Sequence, residues 1–275
     1  VDGLTFEDAY DRLRCLIRNE AFRLDFLRES SAITAEEKNS YLRILSETDR
    51  FSDITESLKM LSILLEKHYC QKVILLIDEY DVPLDKAYQH GYYERMIDLI
   101  RAMFGAALKT NDSLFFAVLT GCLRVSKESI FTGLNNMTVH SIADVNFDEY
   151  FGFTDHEVRE MLEYYGLESH LNETREWYDG YRFGNQDVYC PWDVINYCYA
   201  LRASESAQPK AYWINTSGND MVRKLIGKAA DGTTQMEIER LIAGETIVKT
   251  LNENLTHNEV DANVENIWSL LYMTG

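Results

Sequence analysis

Two unbroken apolar runs organise the chain: Val73-Ile74-Leu75-Leu76-Ile77 and Leu114-Phe115-Phe116-Ala117-Val118-Leu119. Neither alternates with polar residues, so both read as strands covered on two faces, as in a parallel sheet flanked by helices. Between them Met96, Ile97, Ile100, Met103 and Phe104 recur at helical spacing and predict a helix from about Tyr92 to Lys109. A polar connection after Pro83 leads into it, and Asn111-Asp112 ends it. Two buried strands joined by a helical crossover of this length make a right-handed βαβ unit. A weaker third strand is predicted from Met137 to Ile142.

The first 70 residues read as helical. Leu13, Leu16 and Ile17 share a face, and Phe22, Leu24, Phe26 and Leu27 continue the apolar content. Thr34 with Glu37 makes a capping box, and Asp53 with Glu56 resembles one. Leu58, Leu61, Leu64 and Leu65 then lead a helix toward the first strand. Beyond residue 145 the texture shifts to short helices separated by turns. Thr154 and Glu157 open a helix through Tyr164, and Pro191 suits the first turn of another carrying Val194, Ile195 and Tyr197. Thr234 with Glu237 caps a helix stopping at Gly244, and Val264 to Met273 is apolar and helical. Trp177-Tyr178-Asp179-Gly180-Tyr181-Arg182-Phe183-Gly184 reads as a packed aromatic corner rather than a binding platform.

Charge narrows the partners. The net charge is −18, from 27 basic and 45 acidic residues. A surface that acidic repels nucleic acid and anionic membranes. Residues 141–180 hold 11 acids against Arg159 and Arg175, the pattern of a solvated helical face. No apolar run approaches a membrane span and no signal segment opens the chain, so it reads as cytoplasmic. The five cysteines, with no CxxC, read as reduced and mostly buried.

The first strand ends in Asp78-Glu79-Tyr80-Asp81, and ligands of open α/β sheets gather beyond the carboxyl ends of the strands. Two readings stand side by side. In a nucleotide hydrolase Asp78 would hold Mg²⁺, directly or through water, and Glu79 would orient the attacking water. Alternatively the strand surfaces in a solvated acidic turn. Thr120 and Arg124 follow the second strand and could lie beside the acids, a hydroxyl toward water and an arginine toward a phosphate; the plain alternative is a strand-ending turn. A glycine-rich phosphate loop is absent, since the one Gly-Lys pair, Gly227-Lys228, is followed by Ala229. GxGxxG, HExxH and GxSxG are absent as well.

The succession Asp78–Leu84, Leu119–Arg124, Ser129–Asn136, Gly152–Thr154, Trp177–Gly184 and Tyr189–Trp192 resembles the predicted AAA-ATPase-like family of gut and anaerobic bacteria. The resemblance covers the chain from about residue 50 on. It implies an α/β fold: a partial P-loop NTPase parallel-sheet core over residues 1–145, a helical lid over 146–245 and the start of a winged-helix-like segment over 246–275. It makes Asp78 and Glu79 the Walker B acids and Thr120 a sensor residue, with Arg124 a phosphate-side or structural residue. ATP and Mg²⁺ are the implied ligands. Family members carry the phosphate loop before the region matching residue 1, and often a PD-(D/E)XK nuclease-like domain after a segment like Ile267–Leu271. The chain is therefore expected to be an internal piece of a longer protein, and an oligomer is compatible with it. The implied function is an ATPase module that controls an attached effector. A non-hydrolysing regulatory or interaction module is the alternative. A metal-dependent hydrolase using Asp78, Glu79, Asp81 and Asp85 is a third reading, without a second carboxylate cluster behind it.

Overall fold

Helices dominate, and they flank two small sheets. The computed structural model describes residues 1–46, 50–121, 137–213, 232–252, 263 and 265–274. The chain divides into two units, Val1–Met137 with Asn252–Asn266, and Thr138–Leu251 with Ile267–Gly275.

In the first unit, α1 (Phe6–Arg23) starts at Thr5, whose hydroxyl accepts the Asp8 N–H at 3.2 Å. Its buried face is Ala9, Leu13, Ile17 and Ala21, a strict four-residue repeat. Leu16, expected on that face, is 60% exposed because it lies a quarter-turn from the stripe. A capping box between Thr34 and Glu37 opens α2 (Ala35–Leu45) as predicted, with both reciprocal bonds made. The box expected at Asp53 and Glu56 does not form. Asp53 instead sits in the first turn of α3 (Phe51–Thr55) and accepts the Arg50 N–H at 2.9 Å. Next, α4 (Ser57–Tyr69) buries Leu61 and Leu64 and leads into β1 (Val73–Ile77).

The predicted polar connection after Pro83 is a helix, α5 (Val82–His90). Proline in a first turn gives up an N–H that has no intrahelical acceptor, so it starts a helix as readily as it marks a loop. Gly91, at φ +80°, ends this helix. Then α6 (Tyr93–Phe104) carries the predicted stripe and buries Met96, Ile97, Leu99, Ile100, Met103 and Phe104. A π-helical turn, Gly105–Lys109, extends it to the predicted end. β2 (Leu114–Leu119) follows and pairs with β1 in parallel, Ile74 against Phe116 and Ile77 against Leu119, with Phe115 the extra residue of a bulge. The predicted strand–crossover–parallel strand unit is therefore present.

Its expected burial on both faces is not. Leu75, Ile77, Ala117 and Leu119 are half-buried, whereas Ile74 is 56%, Leu76 72%, Phe116 58% and Val118 40% exposed. Helices among the described residues cover one face of this sheet and leave the other open.

In the second unit, residues 137–142, read as a weak strand, have no regular structure. β3 (Phe153–Thr154), β4 (Asp179–Phe183) and β5 (Gln186–Tyr189) form an antiparallel sheet in the order β3-β5-β4. Three helices pack on it: α7 (Asp155–Tyr165), opened by the predicted Thr154–Glu157 box; α8 (Leu171–Tyr178); and α9 (Pro191–Ala203). Their core is Val158, Leu162, Leu167, Tyr178, Tyr189, Val194, Tyr197, Cys198 and Leu201. The aromatic corner is a helix end running into the β4–β5 hairpin, with Tyr178 buried and Trp177 exposed. Two further helices are α10 (Gly232–Ile242) and α11 (Asn266–Thr274). Thr234 lies inside α10 and not at its cap. All four described cysteines are free thiols, and only Cys198 is buried, contrary to the expectation of mostly buried ones.

Asp155 ties this unit together. Its Oδ1 accepts from Arg175 Nη2 at 2.5 Å and from the Tyr189 hydroxyl at 2.8 Å, and its Oδ2 from Arg159 Nε at 2.6 Å. Burial alone would raise its pKa, but the bonds from Arg175, Arg159 and Tyr189 outweigh that and hold the carboxyl well below its ordinary value of 3.8. A folded-state pKa below the unfolded one stabilises above the unfolded value and fades as pH falls below it. Asp155→Asn is expected to lower stability at neutral pH, with the gap from the native chain narrowing below about pH 4. Thermal melts from pH 7 to pH 3 check this, and a gap that stays constant refutes it.

Gly184 at the hairpin tip has φ +49°, and its N–H donates to the Ile142 carbonyl at 2.8 Å. A Cβ there would lie 2.5 Å from the Asp144 carbonyl oxygen and 2.9 Å from Val145 Cα. Gly166, at φ +69°, has open space where its Cβ would go. Both glycines to alanine carry the left-handed penalty of about 1 kcal/mol, but only Gly184→Ala also displaces backbone. Urea unfolding is expected to show Gly184→Ala costing at least about 1 kcal/mol more than Gly166→Ala. Equal costs would mean that residues 144–145 yield freely.

Candidate functional site

The site grows from how the parallel ladder ends. Ile77 pairs with Leu119, and the Thr120 N–H then donates to the Ile77 carbonyl at 2.9 Å. The Tyr80 N–H donates to the Thr120 carbonyl at 3.0 Å. The ladder thus passes from Ile77 to Tyr80, and Asp78 and Glu79 are looped out of it. Glu79 absorbs the excursion at φ +52°, a left-handed conformation that costs an L-residue about 1 kcal/mol. Such excursions recur where a strand must re-aim a side chain, and local strain of this kind clusters at functional sites.

The side chains complete the arrangement. The Thr120 hydroxyl donates to Asp78 Oδ1, and the Glu79 N–H donates to the same oxygen at 3.0 Å. Among the described residues, Asp78 Oδ2 and the Glu79 carboxylate accept no hydrogen bond, and both residues are exposed. These are hard oxygen donors of the kind Mg²⁺ takes, an ion commonly held by one or two carboxylates together with waters and phosphates.

Beyond them the chain turns at once into α5. Val82 N–H bonds to the Glu79 carbonyl at 3.2 Å, and the Leu84 and Asp85 amides both bond to the Asp81 carbonyl. Asp81 is only 5% exposed. A Cβ on Gly121 would lie 2.7 Å from Asp81 Oδ1 and 2.8 Å from the Tyr80 ring, so the missing side chain lets the backbone after β2 close over the acidic turn. A glycine directly past a strand is the sequence signal for such a close approach, and it was available in Thr120-Gly121.

The structure therefore brings Asp78, Glu79 and Thr120 together. Arg124 lies outside the described residues. Asp81 packs against Gly121, and Asp85 Oδ2 accepts from Gln89 Nε2 at 2.7 Å. Among the described residues, no group of three or more His, Cys, Asp or Glu could hold a metal ion. The metal-dependent hydrolase built on Asp78, Glu79, Asp81 and Asp85 accordingly lacks its cage. Among those residues, too, no helix is long and apolar enough to cross a membrane.

Ligands of open α/β sheets bind beyond the carboxyl ends of the strands, which is where these two acids and the hydroxyl stand. Residues 18–131 match the AAA-ATPase-like family, described as predicted AAA-ATPase. An "Uncharacterized protein in vnfD 5'region" of Azotobacter chroococcum mcd 1 is 30% identical over 149 residues, covering 53% of this chain and 27% of that protein. The match spans about a quarter of the relative's length. No solved structure matches. The family match contains Asp78, Glu79 and Thr120, whereas the Gly152–Thr154, Trp177–Gly184 and Tyr189–Trp192 motifs lie beyond it.

If Glu79 is held left-handed by the ladder and not by its own side chain, glycine suits the position better. Glu79→Gly is expected to leave the fold intact and to raise the unfolding free energy of the first unit by up to about 1 kcal/mol. A loss of stability in chemical denaturation would show that the carboxylate makes a structural contact.

Proposed function

We propose that the chain carries the Walker B and sensor half of an ATP site in an AAA-like ATPase that controls an attached effector. The observation that supports it most is the hydrogen bond from Thr120 to Asp78 across the carboxyl ends of two parallel strands, with Glu79 beside it. In this reading Thr120 and the Glu79 amide fix Asp78 through one oxygen and leave the other for a cation. Asp78 would hold Mg²⁺, directly or through water, and the ion would neutralise phosphate charge. Glu79 orients or polarises the attacking water, and Arg124 serves on the phosphate side or structurally. Residues 146–245 act as a helical lid, and 246–275 begin a winged-helix-like segment that leads to the effector, a nuclease-like domain in this reading. The glycine-rich loop and lysine that cradle phosphates are not among these 275 residues, and the reading assigns them to the longer protein.

The missing loop also favours one other reading, a regulatory or interaction module that uses the fold without turnover. The two separate cleanly. This chain alone is expected to bind ATP–Mg²⁺ weakly or not at all, and micromolar affinity by calorimetry would overturn that. In a protein that includes the upstream residues, Glu79→Gln is expected to retain ATP binding and abolish hydrolysis. Unchanged turnover removes Glu79 from the role assigned to it. Binding without turnover in the native longer protein selects the regulatory module.

A further inference from the structure

The second unit presents large apolar side chains on a short loop before β3. Val145 is 58% exposed, Phe147 54%, Tyr150 71% and Phe151 69%. Four such residues fall within seven positions, with the Phe147 and Tyr150 rings 6.3 Å apart, and apolar exposure gathered in this way on a folded protein marks an interaction site. The loop is pinned in place. Asp144 N–H bonds to the Ser141 carbonyl, Tyr150 N–H to the Phe147 carbonyl at 3.1 Å, and Asn185 N–H to Asp148 Oδ2 at 3.0 Å. The bare Gly184 lets the hairpin tip seat directly on residues 144–145. Phe147 stands at φ +68° with His140 edge-on to its ring, so its outward display is built into the backbone.

Charge decides what covers it. Asp148 and Glu149 lie within the patch, and Glu149 is exposed and makes no ion pair among the described residues. The two bases of the 141–180 stretch, Arg159 and Arg175, are both engaged by Asp155. Nucleic acid stacks on aromatics only where basic groups hold its backbone. Anionic lipid requires lysine and arginine at the surface. A second copy of this chain would set carboxylate against carboxylate. A segment of another protein that combines apolar side chains with lysine or arginine satisfies both the aromatics and the acids.

We infer that Val145, Phe147, Tyr150 and Phe151, edged by Asp148 and Glu149, form a docking surface for a basic, amphipathic peptide segment of a protein partner. This surface is independent of the ATP-site reading. The test uses the 275-residue chain and a fluorescent 14-residue peptide of leucine and lysine patterned as an amphipathic helix. Binding by anisotropy is expected, weakening with salt, and lost when the lysines become glutamates or the leucines serines. Phe147→Ser/Tyr150→Ser/Phe151→Ser is expected to weaken binding at least tenfold with an unchanged melting curve. Glu149→Lys, which keeps the aromatics, is expected to weaken it as well. Equal affinity of the triple variant, or of the glutamate peptide, overturns the proposal. Self-association of the chain that the triple variant abolishes overturns it in favour of a second copy.

Discussion

Everything at the candidate site depends on one pair of backbone hydrogen bonds. Thr120 donates to Ile77 and Tyr80 donates to Thr120, so the parallel ladder jumps two residues on one strand while advancing one on the other. The two residues skipped are Asp78 and Glu79. Had the ladder continued in step, alternation along the strand would have sent the two side chains to opposite faces. The excursion instead returns Asp78 Oδ1 to within reach of its neighbour's N–H and of the Thr120 hydroxyl. Glu79 in the left-handed region is the cost of that arrangement, and helix α5 begins before the chain can relax.

The second unit is organised on a different principle. Its sheet is small, and β3 has only two residues, so side-chain bonds carry what a ladder would otherwise supply. Asp155 at the start of α7 reaches Arg175 on α8 and Tyr189 on β5, linking three elements through one carboxylate. The Tyr197 hydroxyl on α9 donates to Glu173 on α8, and Asp193 accepts the amides of Tyr212 and Trp213 at 2.7 and 2.9 Å. Hydrogen bonds to charged groups are among the stronger ones in proteins, which suits a unit with limited apolar core.

How much of this was legible follows from which signals are local. Capping boxes at Thr34 and Thr154 were readable because both partners lie within one turn. So were the two strands, each an unbroken apolar run, and helix α6 between them, carried by its helical spacing. Helix α5 was missed because Pro83 and a polar composition read as a loop, while its packing through Leu84 and Ala87 is tertiary. The strands' burial was overread. An apolar run states what a segment tolerates, and here Ile74, Leu76, Phe116 and Val118 face no described residue that covers them. At the site, residue types named Asp78, Glu79 and Thr120, but the left-handed Glu79 and the Gly121 closure depend on register between distant strands.

That register has an electrostatic consequence. Three carboxylates, Asp78, Glu79 and Asp81, fall within four residues of a chain whose net charge is −18. Asp78 is supplied with two donors, and Asp81 is folded under Gly121, which leaves Glu79 and one oxygen of Asp78 facing outward. Two neighbouring carboxylates of like charge are accommodated best when a cation lies beside them. In the ATPase reading, lysine and Mg²⁺ come with the phosphate loop and the nucleotide. Binding would then relieve a charge imbalance that folding alone leaves in place, and the acidic turn would be coupled to the nucleotide by charge before any conformational change is invoked.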